Sequence, residues 1–139
     1  MDSVQIDHPT ARRFVDALHA LERDGESALE AMVALFDAQA TVANAALDLA
    51  GDERAGAEGV RRFWADYCRS LAGAETAFHA VTVAPDAVGL FWTSRLAGAP
   101  PGGGYEGATL LRLGPGAGAG VVAMRGYYDT RALTPPTTR

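Results

Sequence analysis

The sequence predicts an α+β fold: a cone-shaped, curved antiparallel sheet wrapped around three N-terminal helices. Three observations carry that reading. Apolar residues recur every three to four positions through the first half of the chain. From Glu75 onward the period drops to two, the spacing of strand faces. The segments of the second half are separated by Gly, Pro and Asp, as hairpin-linked strands are. Helices followed by antiparallel strands is an α+β order.

Pro9-Thr10 opens the first helix, since Pro suits a first turn, and Phe14, Val15, Leu18 and Leu21 form its apolar stripe. Asp24-Gly25 breaks it. A second helix carries Leu29, Met32, Val33 and Phe36. Ala40 to Asn44 reads as a short extended stretch, and Gly51 to Gly56 as a polar loop. In the third helix Val60, Phe63, Trp64, Tyr67 and Leu71 follow the helical repeat, with Cys68 expected to be buried one turn after Trp64. Strands are expected at about 75–84, 87–97, 105–113 and 120–129. The long strands must bend to wrap the helices, leaving a cone with its mouth between helices and sheet.

The 139 residues make one domain, 1–139, with an ordered core at about 10–133 and a Pro/Thr-rich tail. That length buries roughly two-thirds of the unfolded surface. The net charge is −5, and all twelve basic residues are scattered arginines. No basic stripe exists to neutralise phosphates, so no nucleic-acid partner is expected. No apolar run is long enough to span a bilayer, so no membrane partner is expected either. The single Cys68 and the absence of a signal-peptide pattern read as a cytoplasmic protein. The glycines at 102–104 and 114–120 lie between strands, outside the strand-loop-helix context of a phosphate loop. No cofactor is expected. His8 and His19 have no metal-ligand spacing to Asp, Glu or Cys, and no Ser–His–Asp set is visible.

In the last strand one parity holds Val122, Met124, Gly126 and Tyr128, and the other Val121, Ala123, Arg125, Tyr127 and Asp129. The first set is read as the wall of a dry cavity. Asn44, Arg95 and Tyr128 are the candidate catalytic groups. Asn44 ends an apolar stretch and can both donate to and accept from a substrate carbonyl. Arg95 shares parity with Phe91 and Thr93, which places it inward, where it would hold a carboxylate or polarise an enolate. Tyr128 offers a phenol to an apolar pocket. Leu18, Phe36, Phe63, Trp64, Tyr67, Phe91, Tyr105 and Met124 are expected to line the substrate site. His79 has ambiguous parity, and Asp66 falls off the apolar stripe. On the outer face Leu90, Trp92, Ala108, Leu110, Val121, Ala123 and Tyr127 would form an apolar sheet surface, so a homodimer through that face is expected.

The stretches Asp37-Ala38-Gln39-Ala40-Thr41-Val42, Gly56 to Phe63 and Met124-Arg125-Gly126-Tyr127-Tyr128-Asp129, in this order, resemble the nuclear transport factor 2-like superfamily. That group includes ketosteroid isomerases, limonene-epoxide hydrolases and SnoaL-type polyketide cyclases. The resemblance runs from Thr10 to Leu133 and implies a cystatin-like α+β barrel that dimerises through its sheet. Gly89 to Ala97 is similar to the strand of limonene-epoxide hydrolases that carries an Arg and an acid. Arg95 falls on the Arg, Ala97 on the acid and Gly126 on the base, so both carboxylates of that mechanism are missing. Against ketosteroid isomerases, Asn44 falls on the base and Leu18 near the Tyr of the oxyanion pair described for that enzyme. A neutral amide takes no proton near neutral pH. The reading that fits best is a cyclase or isomerase for a lipophilic, polyketide-like substrate, working by shaping and carbonyl polarisation. An epoxide hydrolase or epoxide-opening cyclase, using Asp48 or Asp66, is an alternative. A non-catalytic binder of an apolar ligand is another.

Overall fold

The structure is a computed structural model and describes residues 4–52, 54–71, 73–99, 104–116 and 120–129. The Pro100–Gly103 part of the first glycine-rich hairpin, residues 117–119 of the second and the tail lie outside the described residues.

Helix α1 (Pro9–Asp24) starts where Pro9 predicts, with His8 Nδ1 accepting the Ala11 N–H, and stops at Gly25, whose φ of 69° favours a residue without Cβ. A 3₁₀ turn leads into α2 (Leu29–Val33). Phe36 is not helical: it opens β1 (Phe36–Asn44), which is longer than the extended stretch read from the sequence. A short helix α3 (Ala45–Ala50) follows, capped by Asn44, whose Oδ1 accepts the Leu47 N–H at 2.8 Å. After β2 (Arg54–Ala55) comes α4 (Gly56–Ser70), then β3 (Glu75–Ala84), β4 (Ala87–Arg95), β5 (Tyr105–Leu113) and β6 (Val121–Tyr128).

The strands form one open sheet in the order β2-β1-β6-β5-β4-β3. All pairs are antiparallel except β1–β6, which is parallel: the chain passes through α3, β2, α4 and strands β3, β4 and β5 before returning beside β1. The fold is the α+β cone that the sequence predicts, with helices packed on the concave face. Phe14 of α1 meets Trp64 of α4 edge-on at 5.9 Å, and both rings are buried against the sheet. Phe14, Met32, Val42, Val60, Phe78, Leu90, Leu111 and Val121 are almost wholly enclosed. Each such side chain contributes about 1.5–3 kcal/mol on burial. Cys68 is half-buried, and burial pushes its thiol above the ordinary range.

Face assignments differ from the sequence reading in two places. Phe78 pairs with Trp92, Thr76 with Ser94, and Val88 with Leu111. Cross-strand partners share a face, so the fully buried Phe78 and Leu111 fix the inside of β4. Leu90, Trp92 and Ser94 therefore point inward, and Phe91, Thr93 and Arg95 outward, the reverse of the expectation. Trp92 is carried across Gly107, where a Cβ would come within 2.8 Å of the indole ring. At the start of β6 the pairing runs Leu113 to Val121 and then Arg112 to Ala123, leaving Val122 as an extra residue. This bulge turns Val121 into the core and Val122 out, while Met124, Gly126 and Tyr128 keep their inward parity. A second irregularity, between Phe78 and Ala80, leaves His79 outside, 2.7 Å from the Thr93 hydroxyl.

Candidate functional site

Between α1, α4 and the sheet lies a cavity of about 100 Å³. Phe14 and Leu18 come from α1, and Phe63, Trp64, Tyr67 and Leu71 from α4 and its end. The sheet supplies Asn44, Thr76, Trp92, Ser94, Tyr105, Thr109, Met124, Gly126 and Tyr128. The cavity opens into a vestibule of about 360 Å³, with which it shares Asn44, Phe63, Tyr67, Leu71 and Tyr128. Asn44 and Gly126 are register partners across the parallel pair, and without a side chain at 126 the wall stays open there.

Of the residues expected from the sequence, Asn44, Tyr128, Leu18, Phe63, Trp64, Tyr67, Tyr105 and Met124 line this cavity. Three do not. Arg95 sits on the outward parity of β4 and lines no part of it. Phe91 is 43% exposed on the same outer face. Phe36 packs behind the cavity, its ring 6.4 Å from that of Trp64. The sequence reading missed Trp92, Thr76 and Ser94, each placed by β4 register rather than by any local pattern.

Two phenols dominate the polar chemistry. Tyr105 and Tyr128 meet edge-on at 5.8 Å. Burial, with Tyr128 beside it, pushes the Tyr105 phenol up to about 12. Burial also raises Tyr128, against the opposing hydrogen bond from the Ala46 backbone N–H. Both are neutral donors at ordinary pH. Trp92 Nε1 donates to Thr109 Oγ1 at 2.9 Å, which fixes the indole edge. Trp64 Nε1 is buried without a hydrogen-bond acceptor among the described residues, and its ring is enclosed by those of Phe14, Phe63 and Tyr67. Asn44 spends Oδ1 on its helix cap, which leaves the amide N–H groups as what it can offer.

Among the described residues no carboxylate lines the cavity itself. One stands behind it. Glu22 is half-buried on α1 and accepts from Tyr67 Oη at 2.8 Å, Thr76 N at 3.1 Å and Thr76 Oγ1 at 2.5 Å. Burial, then the Glu22 charge, drives the Tyr67 phenol far above its ordinary range. Glu22 was legible in principle. It stands four residues after Leu18 and eight after Phe14, a carboxylate on the apolar stripe of α1.

In the vestibule Asp66 is held by Arg54 at 2.5 Å and by Arg69. The Arg54 hydrogen bond, then that of Arg69, holds its carboxyl below the usual range. Asp48 is paired with Arg125 outside the cavity. No group of three His, Cys, Asp or Glu among the described residues could hold a metal ion. No described helix is long and apolar enough to cross a membrane.

The model of the SnoaL-like domain family matches residues 11–127. Among solved structures, a SnoaL-like protein of unknown function from Burkholderia thailandensis is 20% identical, with 90% of this chain and 99% of that one covered and a TM-score of 0.65. The epoxide hydrolase/cyclase-like enzyme SalBIII, described in pyran ring formation in polyether salinomycin, is 14% identical over 93% of this chain and 97% of that one, with a TM-score of 0.65. A ketosteroid isomerase candidate from Kribbella flavida is 16% identical over 95% and 83%, with a TM-score of 0.60. At such identities these likenesses show the shared fold. No curated protein matches the chain in sequence.

Proposed function

The chain belongs to the SnoaL-like family, and from that premise we propose that it is a cytoplasmic cyclase or isomerase for a lipophilic, polyketide-like substrate. One observation carries the reading. Tyr128 presents its phenol, kept neutral by burial, to a cavity walled by Phe14, Leu18, Trp64 and Met124. In such surroundings a fixed donor aimed at a developing oxyanion is worth far more than in water. The substrate folds into the apolar space with its carbonyl oxygen toward Tyr128. Holding the reacting ends together lowers the barrier by several kcal/mol. Arg95, on the outer face, has no part in this.

The test is turnover of hydroxy-enones and β-diketones of increasing chain length, with product analysis, for the wild type and Tyr128→Phe. The expected loss in kcat on removing the donor is about 100-fold. Stoichiometric retention of the compounds without conversion would make the protein a binder instead.

Epoxide opening is favoured by one specific feature. The ionised Asp66 stands in the vestibule, where it would activate an incoming hydroxyl while Tyr128 protonates the epoxide oxygen. Loss of epoxide turnover in Asp66→Asn but not of enone turnover would select this reading.

We also propose a homodimer through the outer sheet face. Phe91, Val122 and Tyr127 are exposed there, around shallow grooves that also take in Ala108, Leu110 and Ala123. These apolar side chains span three strands among Arg112 and Arg125, and a second copy offers the same surface in return.

A further inference from the structure

Glu22 is the acceptor end of a hydroxyl chain that begins in the cavity. An ionised carboxylate only accepts, so the single proton of Thr76 Oγ1 goes to Glu22 Oε2 at 2.5 Å. Thr76 Oγ1 also lies 3.1 Å from Ser94 Oγ. With the Thr76 proton spent, that contact is a hydrogen bond only with Ser94 as donor. Ser94 and Thr76 both line the cavity. The order of donation is thus set from one end: Ser94 to Thr76 to Glu22. Thr76 and Ser94 are 7% and 2% exposed, so water does not compete along the middle of the chain. Tyr105 faces the cavity beside Tyr128, and Glu22 is half-buried, in reach of bulk water.

We infer that Glu22 is a remote proton acceptor for the cavity, reached through Thr76 and Ser94, and that the substrate carries a nucleophilic hydroxyl placed against Ser94. The inference rests on reading the cavity as a cyclase site, and it supplies the base which that cavity lacks. Ser94 turns its lone pair to the substrate and Tyr128 its proton, so a serine hydroxyl and a phenol take the parts of base and acid. For a hydroxy-enone the step balances as follows. The substrate hydroxyl oxygen forms a C–O bond to the β carbon. Its proton passes to Ser94 Oγ as the Ser94 proton moves to Thr76 and that of Thr76 to Glu22. The C=C electron pair shifts to the bond between the α carbon and the carbonyl carbon, the C=O π pair moves to the oxygen, and that oxygen takes the Tyr128 proton to give an enol. Glu22 then releases a proton to water and Tyr128 regains one. Glu22 acts through other groups and is a positioning residue; Ser94 and Tyr128 are the catalytic ones.

The test uses the full chain and a linear ζ-hydroxy-α,β-enone, whose closure to a tetrahydropyran is followed by loss of enone absorbance. Glu22→Gln keeps the shape of the side chain but cannot take the proton. It is expected to lower kcat by about 100-fold, the scale of one general base, with KM within a few-fold. It should also reduce the solvent deuterium isotope effect on kcat, whereas Glu22→Asp restores part of the rate. Ser94→Ala should reproduce the kcat loss. A second readout needs no turnover: the proton NMR spectrum should show a low-field hydroxyl resonance that vanishes in both Glu22→Gln and Thr76→Val. Folded Glu22→Gln with unchanged kcat and isotope effect, or a wild type without that resonance, would overturn the inference. A wild type that shows the resonance but closes no hydroxy-enone would refute the cyclase reading, leaving the chain intact as a structural network and the relay without its role.

Discussion

Replacing Thr76 by Val changes one oxygen for one methyl group at a place where three elements meet. Three donors converge on Glu22, from Tyr67 Oη, Thr76 N and Thr76 Oγ1, and the substitution removes the shortest of them. A hydrogen bond to a charged group contributes about 1.5–3 kcal/mol. Ser94, buried beside it, loses its acceptor, and an orphaned buried hydroxyl costs about 1–3 kcal/mol. The added methyl group returns about 0.8 kcal/mol. The net expectation is a destabilisation of about 3 kcal/mol, or about 10 °C in Tm for a domain of this size. Urea unfolding followed by tryptophan emission measures it, with m unchanged if the native fold is kept. Made on a Glu22→Gln background, the same substitution should cost about 1–2 kcal/mol less, because the two side chains share one bond. A loss below about 0.5 kcal/mol on the wild-type background, simply additive with Glu22→Gln, would refute the convergence of donors on Glu22.

Gly107→Ala should destabilise by about 1–3 kcal/mol and shift Trp92 emission, because its Cβ collides with the Tyr127 carbonyl oxygen and the Trp92 ring; calorimetry and fluorescence check it. The Tyr67 and Tyr105 phenols are raised on folding, so their contribution is fully present below the ordinary tyrosine value and falls as pH climbs above it, that of Tyr105 being lost through about 12. Alkaline unfolding should therefore begin above about pH 10 and flatten in Tyr105→Phe, as denaturant midpoints against pH would show. Phe91→Glu, on an exposed position of the outer sheet, should shift the mass measured by light scattering from dimer to monomer without changing the far-UV spectrum.

How much the sequence tells depends on whether a signal is local. The stripe Val60, Phe63, Trp64, Tyr67 carries its own periodicity, and α4 places Phe63, Trp64 and Tyr67 against the cavity. The inward parity of Met124, Gly126 and Tyr128 is also local once the strand is recognised. The β4 strand is different. Phe91 and Trp92 are adjacent aromatics, one on each face, so alternation alone gives no preference. Only pairing with Phe78 and Leu111 decides it, and those partners are far away in the chain. The bulge at Val122 is a further non-local event, since it depends on where Arg112 and Leu113 find their partners. Asn44 was legible as a cavity residue, but its role as the cap of α3 was not, because Ala45–Ala50 has no helical stripe of its own. Glu22 went unremarked because a charged residue beside Arg23 and Asp24 looks like a solvated helix end.

The central claim is that ligands enter the cavity and place an oxygen on Tyr128. Both tryptophans of the chain, Trp64 and Trp92, line that cavity, so all indole emission reports on it. The most direct measurement is a fluorescence titration of the wild type, Tyr128→Phe and Gly126→Leu with a medium-chain methyl ketone and the alkane of equal length. The account predicts saturable changes with both ligands in the wild type, the ketone binding about fivefold to tenfold more tightly, as one neutral hydrogen bond allows. Tyr128→Phe should erase that preference, and Gly126→Leu, which fills the cavity, should abolish both responses. A ketone preference that survives Tyr128→Phe, or a response that survives the plugged cavity, would contradict it.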